Sequence, residues 1–175
     1  MSQDAISKCD FTKLPDDKFG GSKSGRAALA IAIEELKAGA QEIGGNNRGP
    51  WVNKYLNGLA EEGSSWCAGF VSYCFFNSGM AMPFNYTVSA RDLLNQLNSR
   101  KWIYQLSDFS SPESGDIVFW WRNHSQSWQG HVGIVHHYHN GILNTIEGNR
   151  TSRVEGFSYR IGEMKGVLGF GRVPD

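Results

Sequence analysis

The chain has 175 residues, of which 40% are hydrophobic and 19% are charged. This composition excludes a disordered chain, and the length suits one ordinary domain with a hydrophobic core. The 17 basic residues balance the 17 acidic residues, so no net charge attracts the protein to nucleic acid or to anionic lipid. We therefore expect neither a nucleic-acid partner nor a membrane partner.

The first six residues show neither the basic start nor the apolar run of a secretory signal peptide. The sequence also has no stretch of about 18 apolar residues that would predict a membrane span. Three cysteines, Cys9, Cys67 and Cys74, cannot form a complete disulfide framework, as expected of a protein made in a reducing cytosol. We expect synthesis in the cytoplasm, and action elsewhere would require a delivery route.

The first half of the chain predicts helices. Residues 1–24 are mixed and turn-rich, so we predict a flexible lead-in followed by one domain over residues 25–175. Apolar residues recur at helical spacing in several segments, each bounded by residues that begin or end helices. The predicted helices cover residues 26–43, a short segment from Pro50, residues 66–77 and residues 89–99.

The second half of the chain predicts strands. After Pro112 the sequence contains β-branched and aromatic runs that are bounded by Gly, Asn or Asp. These runs cover residues 117–121, 131–138, 142–146 and 167–173. Helices followed by antiparallel strands indicate an α+β fold, in which N-terminal helices pack on an antiparallel sheet.

Cys67 lies in the first turn of the helix predicted over residues 66–77, which Ser64 or Ser65 would cap. The unpaired N–H groups and the positive end of the helix dipole lower the pKa of a thiol at this position. A cysteine nucleophile should be activated, fixed and partly open to solvent. Alternatively, Cys67 is a small buried hydrophobic residue, like most free cysteines. Cys74, two turns further into the apolar stretch, is interpreted as a core residue.

Asn140 and Gly141 predict the turn of a hairpin, and two registers are open. A two-residue loop would pair Ile134 with Glu147 and would place a carboxylate on the apolar face. A three-residue loop, in which His139 precedes a left-handed Gly141, separates polar from apolar side chains. It gathers on one face Val132, Ile134, Tyr138, Ile142 and Ile146. Because a slip of one residue reverses every side chain, we predict the three-residue loop.

The chosen register places His131, Glu147 and Asn149 on one face of the hairpin. Gly133 lies opposite Glu147 and leaves room for its long side chain. A carboxylate orients an imidazole and stabilises its protonated form better than an amide does, so we predict that Glu147 is the partner of His131. Asn149, directly opposite His131, would steady the rim of the site or contact the substrate. The alternative is a polar surface patch on a half-exposed hairpin.

Four histidines near this hairpin raise the question of a metal site. Alternation along a strand places His136 on the opposite side from His137, so these two and His139 would not converge on one ion. Together with His124 they are interpreted as ordinary exposed or half-buried histidines. We predict no metal ligands and no cofactor.

Four short motifs occur in order along the sequence. They are Ser-Trp-Cys-Ala-Gly-Phe-Val at residues 65–71, Gly-Asp-Ile-Val at 115–118, Gly-His-Val-Gly-Ile-Val at 130–135 and Ile-Glu-Gly-Asn at 146–149. With these motifs the sequence resembles the CHAP domain family, a group related to the NlpC/P60 hydrolases and built on a papain-like fold. The resemblance extends over roughly residues 26–173 and leaves no motif broken.

The resemblance implies that Cys67 is the catalytic nucleophile, that His131 is the base, and that Glu147 and Asn149 are the polar partners. It assigns substrate binding to Trp66 and Asn149. It also implies that the substrate is peptidoglycan, cut within the stem peptide or at the amide between sugar and peptide. The expected reaction is thiolate attack on the amide, with the oxyanion held partly by the Cys67 N–H and an acyl-enzyme released by water.

Three interpretations of function remain open at this point. The first is a peptidoglycan amidase or endopeptidase that acts in the periplasm or on the cell wall, either as a phage lysin or as a secreted antibacterial effector with a cognate immunity protein. The second keeps the same residues but acts on another amide, such as a glutathione–polyamine conjugate or a protein isopeptide. The third is a binding module with a relict site, which the presence of Cys67, His131 and Glu147 argues against.

Overall fold

The computed structural model describes residues 5–107, 109–122, 127 and 129–175. Its helices are α1 (Lys23–Ala38), α2 (Pro50–Leu56), α3 (Cys67–Phe76) and α4 (Ala90–Ser99). Its strands are β1 (Ala5–Cys9), β2 (Ile103–Tyr104), β3 (Ile117–Trp121), β4 (Gly130–His139), β5 (Ile142–Glu147), β6 (Glu155–Arg160) and β7 (Val167–Gly171). The fold is α+β, as the sequence predicts.

The strands form one antiparallel sheet in the order β1-β6-β5-β4-β3-β7-β2. Strand β4 lies at the centre of this sheet, and α3 packs against it. The β4–β5 hairpin therefore meets the helical layer where α3 begins. None of the described helices has the length and apolar character that crossing a membrane requires.

Both faces of the sheet are buried. On β3, Ile117 and Phe119 pack against the helices, whereas Val118 and Trp120 belong to a second apolar cluster on the other face. Burial on both faces explains why this strand is a continuous apolar run rather than an alternating one. It also means that the face of the hairpin carrying His131 and Glu147 is not a half-exposed surface patch, since both side chains are buried.

The segment predicted as a flexible lead-in differs from that prediction in its described part. Strand β1 pairs with β6, and it approaches Gly156 so closely that a Cβ there would lie 2.2 Å from the Cys9 carbonyl oxygen. Helix α1 also begins earlier than predicted, because the Ser22 hydroxyl accepts a hydrogen bond of 3.0 Å from the Gly25 N–H. It ends at a left-handed Gly39 rather than at residue 43.

The hairpin loop differs from the predicted one. His139 pairs with Ile142, which leaves the two-residue turn Asn140-Gly141 with φ values of 50° and 77°. A bulge at His136 then shifts the register by one residue. Beyond the bulge Ile134 pairs with Ile146, as predicted. The three-residue loop was wrong, but the pairing at the end of the hairpin nearest Cys67 is the predicted one.

The bulge also changes the side-chain directions near the turn. Tyr138 packs with the second cluster and not with Ile134. His136 and His137, predicted on opposite sides, lie together with their Nδ1 atoms 2.8 Å apart. The prediction that His136 and His137 lie on opposite sides was therefore wrong. The described residues include no group of three or more metal-binding side chains. His124 lies outside the described residues.

Cys74 lies in the core, as predicted. Its side chain is fully buried in α3, and burial raises the pKa of its thiol well above the usual value. We expect Cys74→Ala to lower the free energy of unfolding by about 1 kcal/mol, because a small buried group is lost. Urea unfolding measures this effect. Loss of hydrolysis in a fully folded Cys74→Ala protein would contradict the interpretation of Cys74 as a core residue.

Candidate active site

Cys67 is the first residue of α3. The N-cap is Trp66, and no described side chain caps the helix. The cap predicted at Ser64 or Ser65 was wrong, because the Ser65 hydroxyl accepts a hydrogen bond of 2.7 Å from the Asn149 side chain. The first backbone bond of the helix joins the Phe70 N–H to the Trp66 carbonyl, so the Cys67 N–H precedes the helical ladder. Cys67 therefore lies at the positive end of the helix dipole.

His131 links the cysteine to a carboxylate. Its Nε2 lies 2.7 Å from Glu147 Oε1, and its ring also hydrogen-bonds the Cys67 thiol. A carboxylate accepts hydrogen bonds and donates none, so Nε2 of the neutral ring carries the proton and Nδ1 is left as the acceptor. The predicted contact between His131 and Glu147 is present, and the arrangement has the geometry of a nucleophile, a base and an orienting acid.

The three side chains are almost completely enclosed. Cys67 is 3% exposed, His131 is 2% exposed and Glu147 is 0% exposed. Cys67 was expected to be partly open to solvent, and it is not, since the start of α3 packs directly on the sheet. Trp120 covers His131 from the sheet side, with 5.5 Å between the ring centroids. Charges formed at this site are therefore screened little by water.

Glu147 is held by more groups than the sequence indicates. Its Oε2 accepts hydrogen bonds from the Thr145 hydroxyl and, at 2.6 Å, from the Tyr159 hydroxyl. Arg150 in turn donates to the Tyr159 oxygen. Thr145 could have been predicted as a partner of Glu147, because residues two apart on a strand share a face. Tyr159 could not, because it lies on β6, a strand that the sequence pattern did not predict.

The electrostatics of these groups favour their ionised forms. Burial raises the pKa of the Cys67 thiol, but hydrogen bonding to His131 and the charges of His131 and Arg122 outweigh it, so the pKa is lowered. Burial lowers the pKa of His131, but Cys67 and Glu147 outweigh it, so the pKa is raised. Burial likewise raises the pKa of Glu147, yet its bonds to His131, Thr145 and Tyr159 lower it overall.

The structure places the two predicted substrate-binding residues differently. Trp66 is fully buried, its ring stacks on Tyr55, and its Nε1 donates a hydrogen bond of 3.0 Å to Glu42. The Trp66 ring therefore belongs to the core and supports the start of α3, and the structure does not place it at the rim where the sequence analysis expected a substrate contact. Asn149 lies beyond the end of β5 and not opposite His131, with φ 63°, and its exposed side chain bonds Ser65 at the rim.

Gly133 makes room for Glu147, as predicted. A Cβ at this position would lie 2.6 Å from Glu147 Cγ. We expect Gly133→Ala to displace the carboxylate from His131 and to lower kcat/KM by about 10²-fold, since small misplacements of catalytic groups are costly. Gly162→Ala is the matched control, because a Cβ there meets nothing within 4 Å. Equal kcat/KM for the two variants would show that Glu147 tolerates displacement.

A comparison with protein families places this geometry in a known context. A profile of the CHAP domain matches residues 59–149, which is more than half of the chain. The matched segment contains Cys67, His131, Glu147 and Asn149. No curated protein and no solved structure matches the chain. The α+β architecture is consistent with the papain-like fold of this family, and we conclude that the chain belongs to the CHAP domain family.

Proposed function

We propose that the protein is a peptidoglycan hydrolase that cuts an amide bond, with Cys67 as nucleophile, His131 as base and Glu147 as the group that orients His131. CHAP domains are generally hydrolases of the amidase type, and their substrate is peptidoglycan. The observation that carries the proposal is the hydrogen-bonded series Cys67–His131–Glu147 at the start of α3. A relict binding module would have no need to keep a buried thiol, imidazole and carboxylate in mutual contact.

In the proposed reaction the Cys67 thiolate attacks the carbonyl carbon of the amide. The C–N bond breaks as the His131 Nδ1–H gives its proton to the leaving amine, and an acyl-enzyme remains on the sulfur. The Cys67 N–H, free at the helix start, donates to the oxyanion. Water then attacks the thioester while His131 takes its proton, which releases a carboxylic acid and restores the thiol and the imidazole.

Two bonds fit this reaction, an amide within the stem peptide and the amide between N-acetylmuramic acid and L-alanine. Mass spectrometry of muropeptides after digestion separates them, because an endopeptidase shortens the peptides whereas an amidase frees them from the sugar. We expect one of these changes with the wild-type protein. Unchanged muropeptides from walls of several chemotypes would contradict the proposed substrate.

The proposed substrate also defines where the protein acts. Peptidoglycan lies outside the cytoplasmic membrane, so we propose action in the periplasm or on the wall after delivery by a secretion system or during phage lysis, with an immunity protein where the producer must protect itself. Expression with and without an added export signal tests this. We expect lysis only with the signal and only with an intact Cys67. Equal toxicity inside the cytoplasm would indicate a different substrate.

The proposed chemistry uses only groups of the chain itself, together with water. We expect hydrolysis to continue at full rate in EDTA, since no step requires a metal ion. We expect it to stop when Cys67 is oxidised and to return with a reductant, because the thiolate is the nucleophile. The measurement is the initial rate with each additive. Inactivation by the chelator followed by recovery with zinc would contradict the thiol mechanism.

A further inference from the structure

Arg122 lies at the active site, and nothing in the reaction described above uses it. Its Nη2 is 3.3 Å from His131 Nδ1, the ring nitrogen that does not bond Glu147. The residue follows directly on β3, and its backbone N–H bonds the Gln129 carbonyl at 2.8 Å, which holds this position next to the start of β4. The guanidinium is therefore held beside the His131 ring by the end of β3 and the start of β4.

The charges of Cys67, His131 and Glu147 do not balance one another. In the reactive form the thiolate of Cys67 and the carboxylate of Glu147 carry two negative charges, and the imidazolium of His131 carries one positive charge. A net negative charge in an enclosed site is unfavourable, because little water is present to solvate it. A site whose third member is a neutral amide would not have this excess, so the carboxylate of Glu147 creates the need for a second cation.

We propose that Arg122 is this second cation: it balances the charge that Glu147 adds and so keeps the Cys67 thiolate stable beside His131. The inference rests on the nucleophile role of Cys67 in the proposed function. A guanidinium suits the task because it stays protonated throughout the working pH range, whereas a histidine would lose its charge. Arg122 acts on the sulfur through its charge, so it is a positioning residue and not an acid or base.

The described charged and titratable groups around the site come from the sheet and its connections. They are Arg122 after β3, His131 on β4, Glu147 on β5, Tyr159 on β6 and Arg150, which donates to the Tyr159 oxygen. Arg150 lies at the Glu147 end of the series, whereas Arg122 lies beside His131 Nδ1. When the ion pair is formed, Arg122 attracts the thiolate and repels the imidazolium. Its removal therefore raises the pKa of the thiol and also raises that of His131. Both limbs of the pH profile of Cys67 alkylation should therefore move to higher pH. Loss of a purely structural contact would not produce this shift.

The test is the rate of alkylation of Cys67 by iodoacetamide between pH 4 and pH 10, read at each cysteine by peptide mass spectrometry. We expect Arg122→Gln to move the acid limb upward by about one pH unit, a modest shift because Arg122 is only partly buried. Arg122→Lys should restore most of this shift, since it restores the charge. Arg100→Gln is the matched control, because Arg100 is exposed at the end of α4.

A second measurement isolates the charge. Iodoacetate is an anion and iodoacetamide is neutral, so the ratio of their rates at Cys67 should fall several-fold in Arg122→Gln and recover in Arg122→Lys. Unchanged limbs and an unchanged ratio in folded Arg122→Gln would overturn the inference. Alkylation requires no substrate, so these results do not depend on the proposed function. A protein that leaves peptidoglycan intact but shows both shifts would refute the proposed function and would leave the role of Arg122 standing.

Discussion

Replacement of Cys67 by alanine is expected to reduce hydrolysis by roughly 10⁴-fold or more, as loss of a nucleophile does in other acyl-transfer enzymes. Cys67 is the residue at the start of α3 whose side chain hydrogen-bonds His131. We expect the variant to fold normally, because alanine is well accommodated in the first turn of a helix. The measurements are the initial rate of product release and the free energy of unfolding.

Cys74→Ala is the matched control for this variant, since it removes a buried thiol from the same helix. The two substitutions should have opposite effects, with lost turnover for Cys67 and lost stability for Cys74. Iodoacetamide should likewise modify Cys67 faster than Cys74 at neutral pH, because the pKa of the first thiol is lowered and that of the second is raised. A Cys67→Ala protein with the wild-type rate would remove the whole mechanism.

The second large effect is expected at Glu147. Replacement by glutamine keeps the size of the side chain but removes the charge that raises the pKa of His131. We expect turnover to fall by roughly 10²- to 10⁴-fold, the range seen when the acid of such a triad becomes an amide. The proposed mechanism requires the imidazolium form of His131, so the basic limb of the rate profile should move to lower pH. The measurement is kcat/KM against pH, with the exposed Glu163→Gln as control.

The same substitution has a consequence for stability. The pKa of Glu147 is lowered in the folded state, so its charge stabilises the fold above the pKa of an unfolded glutamate, about 4.3, and this contribution is lost as pH falls through the folded value. Glu147→Gln lacks that dependence. As pH falls from 6, the free energy of unfolding of the variant should therefore decrease less steeply than that of the wild type. An identical pH dependence would show that Glu147 is not ionised in the fold.

The hairpin illustrates what the sequence can and cannot predict. The Asn140-Gly141 turn indicated a two-residue loop, whereas the sorting of polar from apolar side chains indicated the register found near Cys67. Both indications are right, because the bulge at His136 lies between the two regions. His136 stacks on Phe11 and bonds the Lys13 carbonyl. Such a bulge depends on contacts over more than a hundred residues, which no local pattern contains.

The site shows the same division between local and distant information. Cys67, His131 and Glu147 lie in short motifs, and their hydrogen-bonded contact was predictable from helix and hairpin geometry. Tyr159 and Arg122 reach the site from β6 and from the end of β3, and their positions follow from the order of strands in the sheet. The core position of Trp66 was not predictable, because its place next to Cys67 in the sequence gave no information about its burial.

The central claim is that Cys67 forms an acyl-enzyme with a fragment of peptidoglycan. The most direct measurement is mass spectrometry of the protein quenched in acid within milliseconds of mixing with soluble muropeptides, with the modified residue located by digestion. We predict an added mass equal to the acyl part of the cleaved muropeptide, on Cys67 alone, which hydroxylamine removes. Product release by the Cys67→Ala variant, or an adduct at another residue, would contradict the claim.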